Sequence, residues 1–109
     1  MQRLSFDSYE FDVPDSEESL DLAISSLRQH QDLAPFLADC DASAQVGSAP
    51  PEGWPRWAEV VKSVRRFTGL ELPPAETCRV VVLSDDWDDL EVAVAAESLL
   101  VWYHWWTTA

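Results

Sequence analysis

The densest group of side chains that could do chemistry is a run of four carboxylates around one tryptophan: Asp85, Asp86, Trp87, Asp88 and Asp89. Carboxylate oxygens are the ligands that calcium and magnesium take in proteins, so a divalent cation is one candidate occupant. A calcium loop counted from Asp86 would place Leu90 and Glu91 where an oxygen ligand and a glycine are needed. The spacing argues against that loop and leaves a solvated turn, a contact surface for a protein partner and a less regular metal site as alternatives.

The second group is the aromatic run Trp102-Tyr103-His104-Trp105-Trp106. In a strand, successive side chains point to opposite faces, so Trp102, His104 and Trp106 share one face. One interpretation is a central strand with aromatic core residues. The other is that helices bury one face while the second face binds a partner, because Trp and Tyr dominate interface hot spots. In that case His104 is a contact residue.

Neither group has the pattern of a catalytic site. Acid–base or nucleophilic catalysis needs a base beside a nucleophile, or paired carboxylates in a cleft. The two histidines, His30 and His104, have no recognisable partner in the sequence pattern, and the chain has neither a glycine-rich phosphate loop nor Cys/His metal spacing. We therefore predict no catalytic residues, no metal and no cofactor.

The charge composition narrows the class of partner. Twenty acidic residues against seven basic ones give a net charge of −13, while small soluble domains carry about 2 to 8 charges in magnitude. Such a surface repels nucleic acid and anionic membranes and attracts basic proteins. Carboxylates near an indole also resemble phosphates near a base. Solubility alone is the alternative explanation, and we expect a basic protein partner.

Length and termini suggest a single cytoplasmic domain. A chain of 109 residues matches the usual size of one domain, 1–109. The N-terminus has no apolar run typical of a signal peptide, and no segment approaches the roughly 18 apolar residues of a membrane span. We expect Cys40 and Cys78 to be reduced thiols in that setting.

The N-terminal half predicts a strand followed by a helix. Apolar residues alternate over Arg3–Val13, with a bulge near Asp7-Ser8. Asp15 and Glu18 have the spacing of a capping box, which predicts a helix over Ser16–Gln31. Three acids on the outer surface of this helix are a second candidate contact surface: Glu17, Glu18 and Asp21.

The second half predicts a loop, a helix and three strands. Residues 43–53 have loop composition, and a helix follows from Pro55 to a C-cap at Gly69. Strands are predicted over 79–83, 90–96 and 99–106, with connections short enough for antiparallel hairpins. The expected fold is α+β: an antiparallel sheet of about four strands with two main helices on one face.

The pattern of Arg79-Val80-Val81-Val82-Leu83, the acidic turn with Trp87, Leu90-Glu91-Val92-Ala93-Val94 and Leu100-Val101-Trp102-Tyr103 resembles immunity proteins of bacterial polymorphic toxins. The resemblance covers the C-terminal meander. It implies a small, acidic α+β protein that binds and neutralises a toxin domain, often a nuclease.

Three functions follow as hypotheses. The leading one is a non-enzymatic inhibitor or immunity protein that blocks a basic, nucleic-acid-acting toxin domain. The second is a phage-type anti-defence protein that occupies a nucleic-acid site as a mimic. The third is a small metal-assisted enzyme using the Asp85–Asp89 cluster.

Overall fold

The computed structural model describes residues 1–6, 18–42 and 47–107. Its strands are β1 Gln2–Phe6, β2 Glu18–Ser26, β3 Arg79–Asp86, β4 Asp89–Ala96 and β5 Leu99–Thr107. Its helices are α1 Leu33–Asp39 and α2 Arg56–Thr68, and a short 3-10 turn spans Ala75–Thr77. The strands form one antiparallel sheet in the order β1-β2-β5-β4-β3. The α+β prediction is confirmed, with five strands in place of about four.

The three C-terminal strands form the predicted meander of antiparallel hairpins. Asp86 pairs with Asp89 across a two-residue turn, and Ala96 pairs with Leu99 across another. β5 is a central strand, because it pairs with β4 on one side and β2 on the other. β-branched and aromatic residues suit such a pleated surface, which is why this region was readable from sequence.

The helix predicted over Ser16–Gln31 is wrong for the residues that the structure describes. Residues 18–26 are β2, paired with β1 and β5 along its length. The segment fits both periods: Leu20, Ala23 and Ile24 match a helical stripe, while Leu20, Leu22 and Ile24 match strand alternation. Pairing with two neighbouring strands is a tertiary interaction that overrides the local preference. The outer half of the predicted strand 3–13 and the capping Asp15 lie outside the described residues.

Helix α2 packs on one face of the sheet. Its buried Val60 and Val64 pack against apolar side chains of the sheet, including Leu22, Val92 and Tyr103. Leu22 and Val92 share this face because both pair directly with Tyr103. The helix spans Arg56–Thr68, so it starts one residue after the predicted Pro55, which is the N-cap, and Gly69 is the C-cap as predicted. Gly69 has a φ of 78°, a left-handed conformation that costs glycine no steric strain.

Helix α1 covers part of the opposite face, so the two helices do not share one face as expected. Phe36 is completely buried and packs with Ala23, Ala93, Leu100 and Trp102. Ala93 of β4 is fully buried under α1. With only seven residues, α1 is too short to show a clear helical period in the sequence.

The outer edge of β3 is partly covered by the segment after residue 46. Ser48 and Val82 exchange two backbone hydrogen bonds, with N···O distances of 3.0 and 2.7 Å. Gly47 precedes this bridge, and a Cβ there would collide with Val81. Covering a sheet edge reduces its tendency to pair with other chains.

Two further findings concern the cysteines and the helices. Cys40 belongs to the cluster under α1 and Cys78 packs against the cluster under α2, so they lie on opposite faces of the sheet, and both are free. Neither α1 nor α2 is long and apolar enough to cross a membrane, and the same is true of every helix in the described part of the chain.

Candidate functional site

Polar side chains replace apolar ones at one end of the sheet face that carries α1. The strand register aligns Ser5, Asp21, His104 and Glu91 in one row across β1, β2, β5 and β4. The next row towards the end of the sheet is Ser19, Trp106, Asp89 and Asp86. We call these two rows the carboxylate–aromatic face, defined by Asp21, Asp86, Asp89, Glu91, His104 and Trp106.

His104 stands at the centre of this face. Its Nε2 lies 3.1 Å from Asp89 Oδ2 on the neighbouring strand, and both side chains are partly buried. Its ring centroid is 5.8 Å from that of Trp102 and 4.8 Å from that of Trp106. The predicted alignment of these three aromatic residues on one face is confirmed, and their rings form a continuous row.

Trp102 and Glu91 form the buried end of the row. Trp102 Nε1 donates a hydrogen bond of 2.9 Å to Glu91 Oε2, and the two residues are only 4% and 3% exposed. A buried carboxylate needs such a donor, because an unpaired charge away from water is costly. Trp102 is therefore a core residue that holds Glu91 in place, whereas the partly exposed His104 and Trp106 remain accessible at the surface.

The charge on this face is one-sided. The described side chains of the two rows include four carboxylates and no lysine or arginine. Asp21 accepts a hydrogen bond of 2.6 Å from the Ser5 hydroxyl. Arg3 lies at the border of the face, where its guanidinium carbon is 5.6 Å from the Trp102 ring centroid and its Nη2 donates to the Cys40 carbonyl. An arginine thus already binds to one aromatic ring at the border of this face.

The acidic hairpin tip does not act as one cluster. Asp85 faces α2, where it accepts hydrogen bonds of 2.8 Å from Arg56 Nη1 and 3.1 Å from Trp54 Nε1. Burial opposes the charge on Arg56, but its hydrogen bonds to Asp85 and Glu59 raise its pKa overall. Among the residues that the structure describes, no three His, Cys, Asp or Glu side chains are placed to hold a metal ion.

The remaining predicted contact residues are divided between other places. Asp88 contributes its backbone carbonyl, which accepts from the Thr107 amide at 3.0 Å. Trp87 is 75% exposed and borders a groove beside α2. Glu18 lies on β2, not on a helix, and accepts a hydrogen bond of 3.3 Å from Trp105 Nε1 in that groove. Glu17 lies outside the described residues.

A second group of hydrogen-bonded side chains, which the sequence pattern did not predict, lies at the other end of the sheet. His30 Nδ1 lies 2.7 Å from Ser25 Oγ, and its Nε2 lies 2.6 Å from Asp39 Oδ2. These residue types match a hydrolase triad. The serine, however, is buried and also bonded to Gln29 Oε1, while the aspartate is exposed. A nucleophile must reach its substrate, and the buried serine cannot. These hydrogen bonds therefore fit a structural role, in which they connect β2 to α1.

Both histidines thus have polar partners that the sequence pattern did not reveal. His30 contacts residues five and nine positions away, and His104 contacts Asp89 on another strand. No local motif links these positions, and the signal that pointed to His104 was its alternation with the tryptophans.

Comparisons of the chain with protein-family models, with curated proteins and with solved structures give no match. What the protein does must therefore be inferred from its own charges and surfaces.

Proposed function

We propose that the chain is a non-catalytic inhibitor that binds a basic, nucleic-acid-acting toxin domain through the carboxylate–aromatic face. The observation that carries the proposal is the composition of this face: three partly or fully exposed carboxylates around His104 and Trp106, with the buried Glu91 behind them and no lysine or arginine in the described rows. The net charge of −13 adds a long-range field of the same sign. Complementary charge is what steers a basic partner to such a surface.

Asp86 and Asp89 support this assignment because they are directly opposed on adjacent strands. Like charges in a cross-strand pair are destabilising. A cationic side chain from a partner removes this repulsion when it binds between the two carboxylates. Local interactions that oppose stability are expected at functional positions, where the partner compensates for them.

The aromatic side chains supply the second part of a binding surface. Trp106 and His104 are partly exposed, and their ring centroids lie 4.8 Å apart with the ring planes inclined by 37°. A guanidinium group can stack on such rings while it donates to nearby carboxylates. Because Asp89 and His104 are already partly buried, such contacts are less screened by water than those on an open surface. The C-terminal meander, which resembles immunity proteins, supports a toxin as the partner class.

The metal-assisted alternative has less support from the positions of these carboxylates. Asp85 faces α2, while Asp86 and Asp89 lie on the other face of the sheet. A nucleic-acid mimic directed at a host defence protein would use the same acidic face, so the identity of the partner separates that alternative from a toxin inhibitor.

The test pairs this chain with the basic proteins encoded by neighbouring genes. Each candidate is expressed in cells with and without this chain, and binding of the purified pair is measured by surface plasmon resonance at several salt concentrations. We expect one candidate to stop cell growth when it is expressed without this chain, and to leave growth unaffected when the two are expressed together. A candidate that only binds nucleic acid in host defence, without toxicity, would favour the mimic.

The interface is tested with charge-matched variants. Asp86→Asn with Asp89→Asn removes two charges from the carboxylate–aromatic face, and Glu52→Gln with Glu76→Gln removes two exposed charges elsewhere. Steering lifts association rates from about 10⁵–10⁶ to 10⁸–10⁹ M⁻¹s⁻¹ at low salt, with a reach of about 8 Å at physiological salt. The face variant should slow association several-fold more than the control. Equal slowing by both pairs would mean that only net charge matters and that this face is not the interface.

A further inference from the structure

We infer that the groove between α2 and the C-terminal strands is a second binding site, which takes a small aromatic anion: a flat ring carrying one phosphate or carboxylate group. The groove lies on the α2 side of the sheet, opposite the carboxylate–aromatic face. This inference is therefore independent of the proposed inhibitor function.

The groove has the size and walls of a small-molecule site. Its volume is about 380 Å³, within the usual range of about 300–1,000 Å³ for ligand pockets. One side of α2 forms one wall. Five of the helix residues that line it are each three or four positions from another, which places them on the same side: 56, 59, 62, 63 and 66. Tyr103 and Trp105 of β5 form the facing wall, and Trp87 borders the opening.

The charge of the groove differs from that of the rest of the molecule. Arg56, Lys62 and Arg66 line it, three of only seven basic residues in the chain. Glu18 and Glu59 also line the groove, and Asp85, which is outside the lining, pairs with Arg56, so three carboxylates balance these three cations. In a protein with a net charge of −13, this concentration of basic side chains around one groove points to an anionic ligand.

Part of the groove is held in place before any ligand binds. Trp105 Nε1 donates to Glu18 Oε1, and the Arg56 guanidinium carbon lies 5.8 Å from the Trp105 ring centroid. Arg56 is in turn anchored by Asp85. Groups that are already ordered lose little entropy on binding, so this wall favours affinity. Arg56 already has these partners, and the Arg66 guanidinium carbon lies 5.0 Å from the Phe67 ring centroid. The exposed ammonium of Lys62 is therefore the group best placed to contact the anionic part of a ligand.

The aromatic part of the ligand is assigned to Trp87. Its indole is 75% exposed, the largest exposure among the described large hydrophobic side chains. Because it borders the groove, a flat ring that enters can stack on it and shield its apolar surface from water. An aromatic ring is preferred over an aliphatic one, since stacking between flat π systems adds to the burial of area.

The buried end of the groove adds no negative charge. Burial, the largest cause, raises the pKa of Tyr103, so its phenol stays protonated at neutral pH. Ser63, which hydrogen-bonds to it, provides a second hydroxyl. Glu18 and Glu59 offer acceptors for hydroxyl or amino groups of a ligand. Adenosine 5′-monophosphate combines a flat ring, hydroxyls and a phosphate, and indole-3-acetate combines a flat ring with a carboxylate.

The experiment titrates the full chain with these two anions and with two fragments, adenosine and inorganic phosphate, using tryptophan fluorescence and calorimetry. We expect saturable one-to-one binding of at least one ring-bearing anion, with a Kd below about 1 mM, and at least about tenfold weaker binding of the fragments. Equal affinity for inorganic phosphate alone would refute the aromatic requirement. No saturation by either ring-bearing anion up to about 10 mM would refute the site.

Three variants locate the site. Lys62→Gln removes the proposed anion contact and should weaken binding about tenfold, and Trp87→Ala should weaken it about tenfold through lost stacking. Arg65→Gln is the matched control, because it removes one exposed charge from the same helix at a position that does not line the groove. Equal weakening by the control and Lys62→Gln, or no effect of Trp87→Ala, would overturn the assignment. The Asp86→Asn, Asp89→Asn variant should bind the anion as the unmodified chain does, so the two proposals fail separately.

Discussion

Asp85 should contribute to stability in a way that its neighbour Asp86 does not. Asp85 accepts from Arg56 and Trp54, whereas the Arg56 contact to Asp86 is to its backbone carbonyl, which a side-chain substitution leaves in place. Asp85→Ala therefore removes two hydrogen bonds, and Asp86→Ala removes none of those described. Asp86→Ala also relieves the repulsion with Asp89.

The magnitude follows from burial. A hydrogen bond to a charged group contributes about 1.5–3 kcal/mol when it is well shielded, and a neutral donor adds about 1 kcal/mol. The side chains of Asp85 and Arg56 are 40% and 18% exposed, so water screens part of this interaction. We expect Asp85→Ala to lower the free energy of unfolding by about 1–2 kcal/mol, equivalent to a Tm lower by about 4–10 °C.

The assay is urea unfolding at 25 °C, followed by tryptophan fluorescence and far-UV circular dichroism on the two variants and the unmodified chain. Asp86→Ala should change the free energy of unfolding by less than about 0.5 kcal/mol, as is usual for exposed positions. If the two variants were equally stable, the Arg56–Asp85–Trp54 contacts would contribute nothing, and the separation of Asp85 from the rest of the acidic tip would be wrong.

Three other predictions test the core and the titrating groups. Phe36→Ala should lower the free energy of unfolding by about 3–5 kcal/mol, because Phe36 is fully buried between α1 and the sheet. Leu27→Ala, at a 41% exposed position, should lower it by less than about 1 kcal/mol. Similar losses for the two variants in urea unfolding would contradict the packing of α1. Burial raises the pKa of Cys40 to about 11, and only 1% of Cys40 is exposed, so its thiol should react slowly. Mass spectrometry after timed alkylation at pH 8 should find Cys78 modified first. Faster modification of Cys40 would contradict this. Burial raises the pKa of Cys40 and of Tyr103, so the unfolded chain loses these protons at a lower pH than the folded protein does. The free energy of unfolding should therefore fall as pH rises above about 9. A free energy of unfolding that stays constant from pH 8 to 10.5 would contradict the burial of these groups.

Several features could be predicted from sequence because they depend on local pattern. The β-branched and alternating residues of the last third determine β3, β4 and β5, whose short connections permit only antiparallel pairing. Proline before α2 and Gly69 after it mark the ends of that helix. Alternation along β5 also places Trp102, His104 and Trp106 on one face without any knowledge of the neighbouring strands.

Features that depend on distant contacts could not be predicted. Residues 18–26 carry a helical and a strand period together, and only pairing with β1 and β5 decides between them. The same pairing places Asp21 beside His104, two residues far apart in the chain. Helix α1 is stabilised by burial of Phe36 against β4 and β5, a contact that no local period encodes.

The acidic hairpin tip combines a property that the sequence predicts with one that depends on the tertiary structure. The pattern of the flanking strands places four carboxylates and a tryptophan at a turn, and their charge is sufficient to suggest a basic partner. Which face each one takes depends on an irregularity between Val82 and Ser84, where the register of β3 against β4 shifts by one residue. Since side chains alternate along a strand, that shift places Asp85 towards Arg56 and Asp86 beside Asp89 on the other face. The sequence determined the charge of the tip, and the tertiary structure decided which carboxylates a partner can reach, because register is set by pairing and packing across the whole sheet.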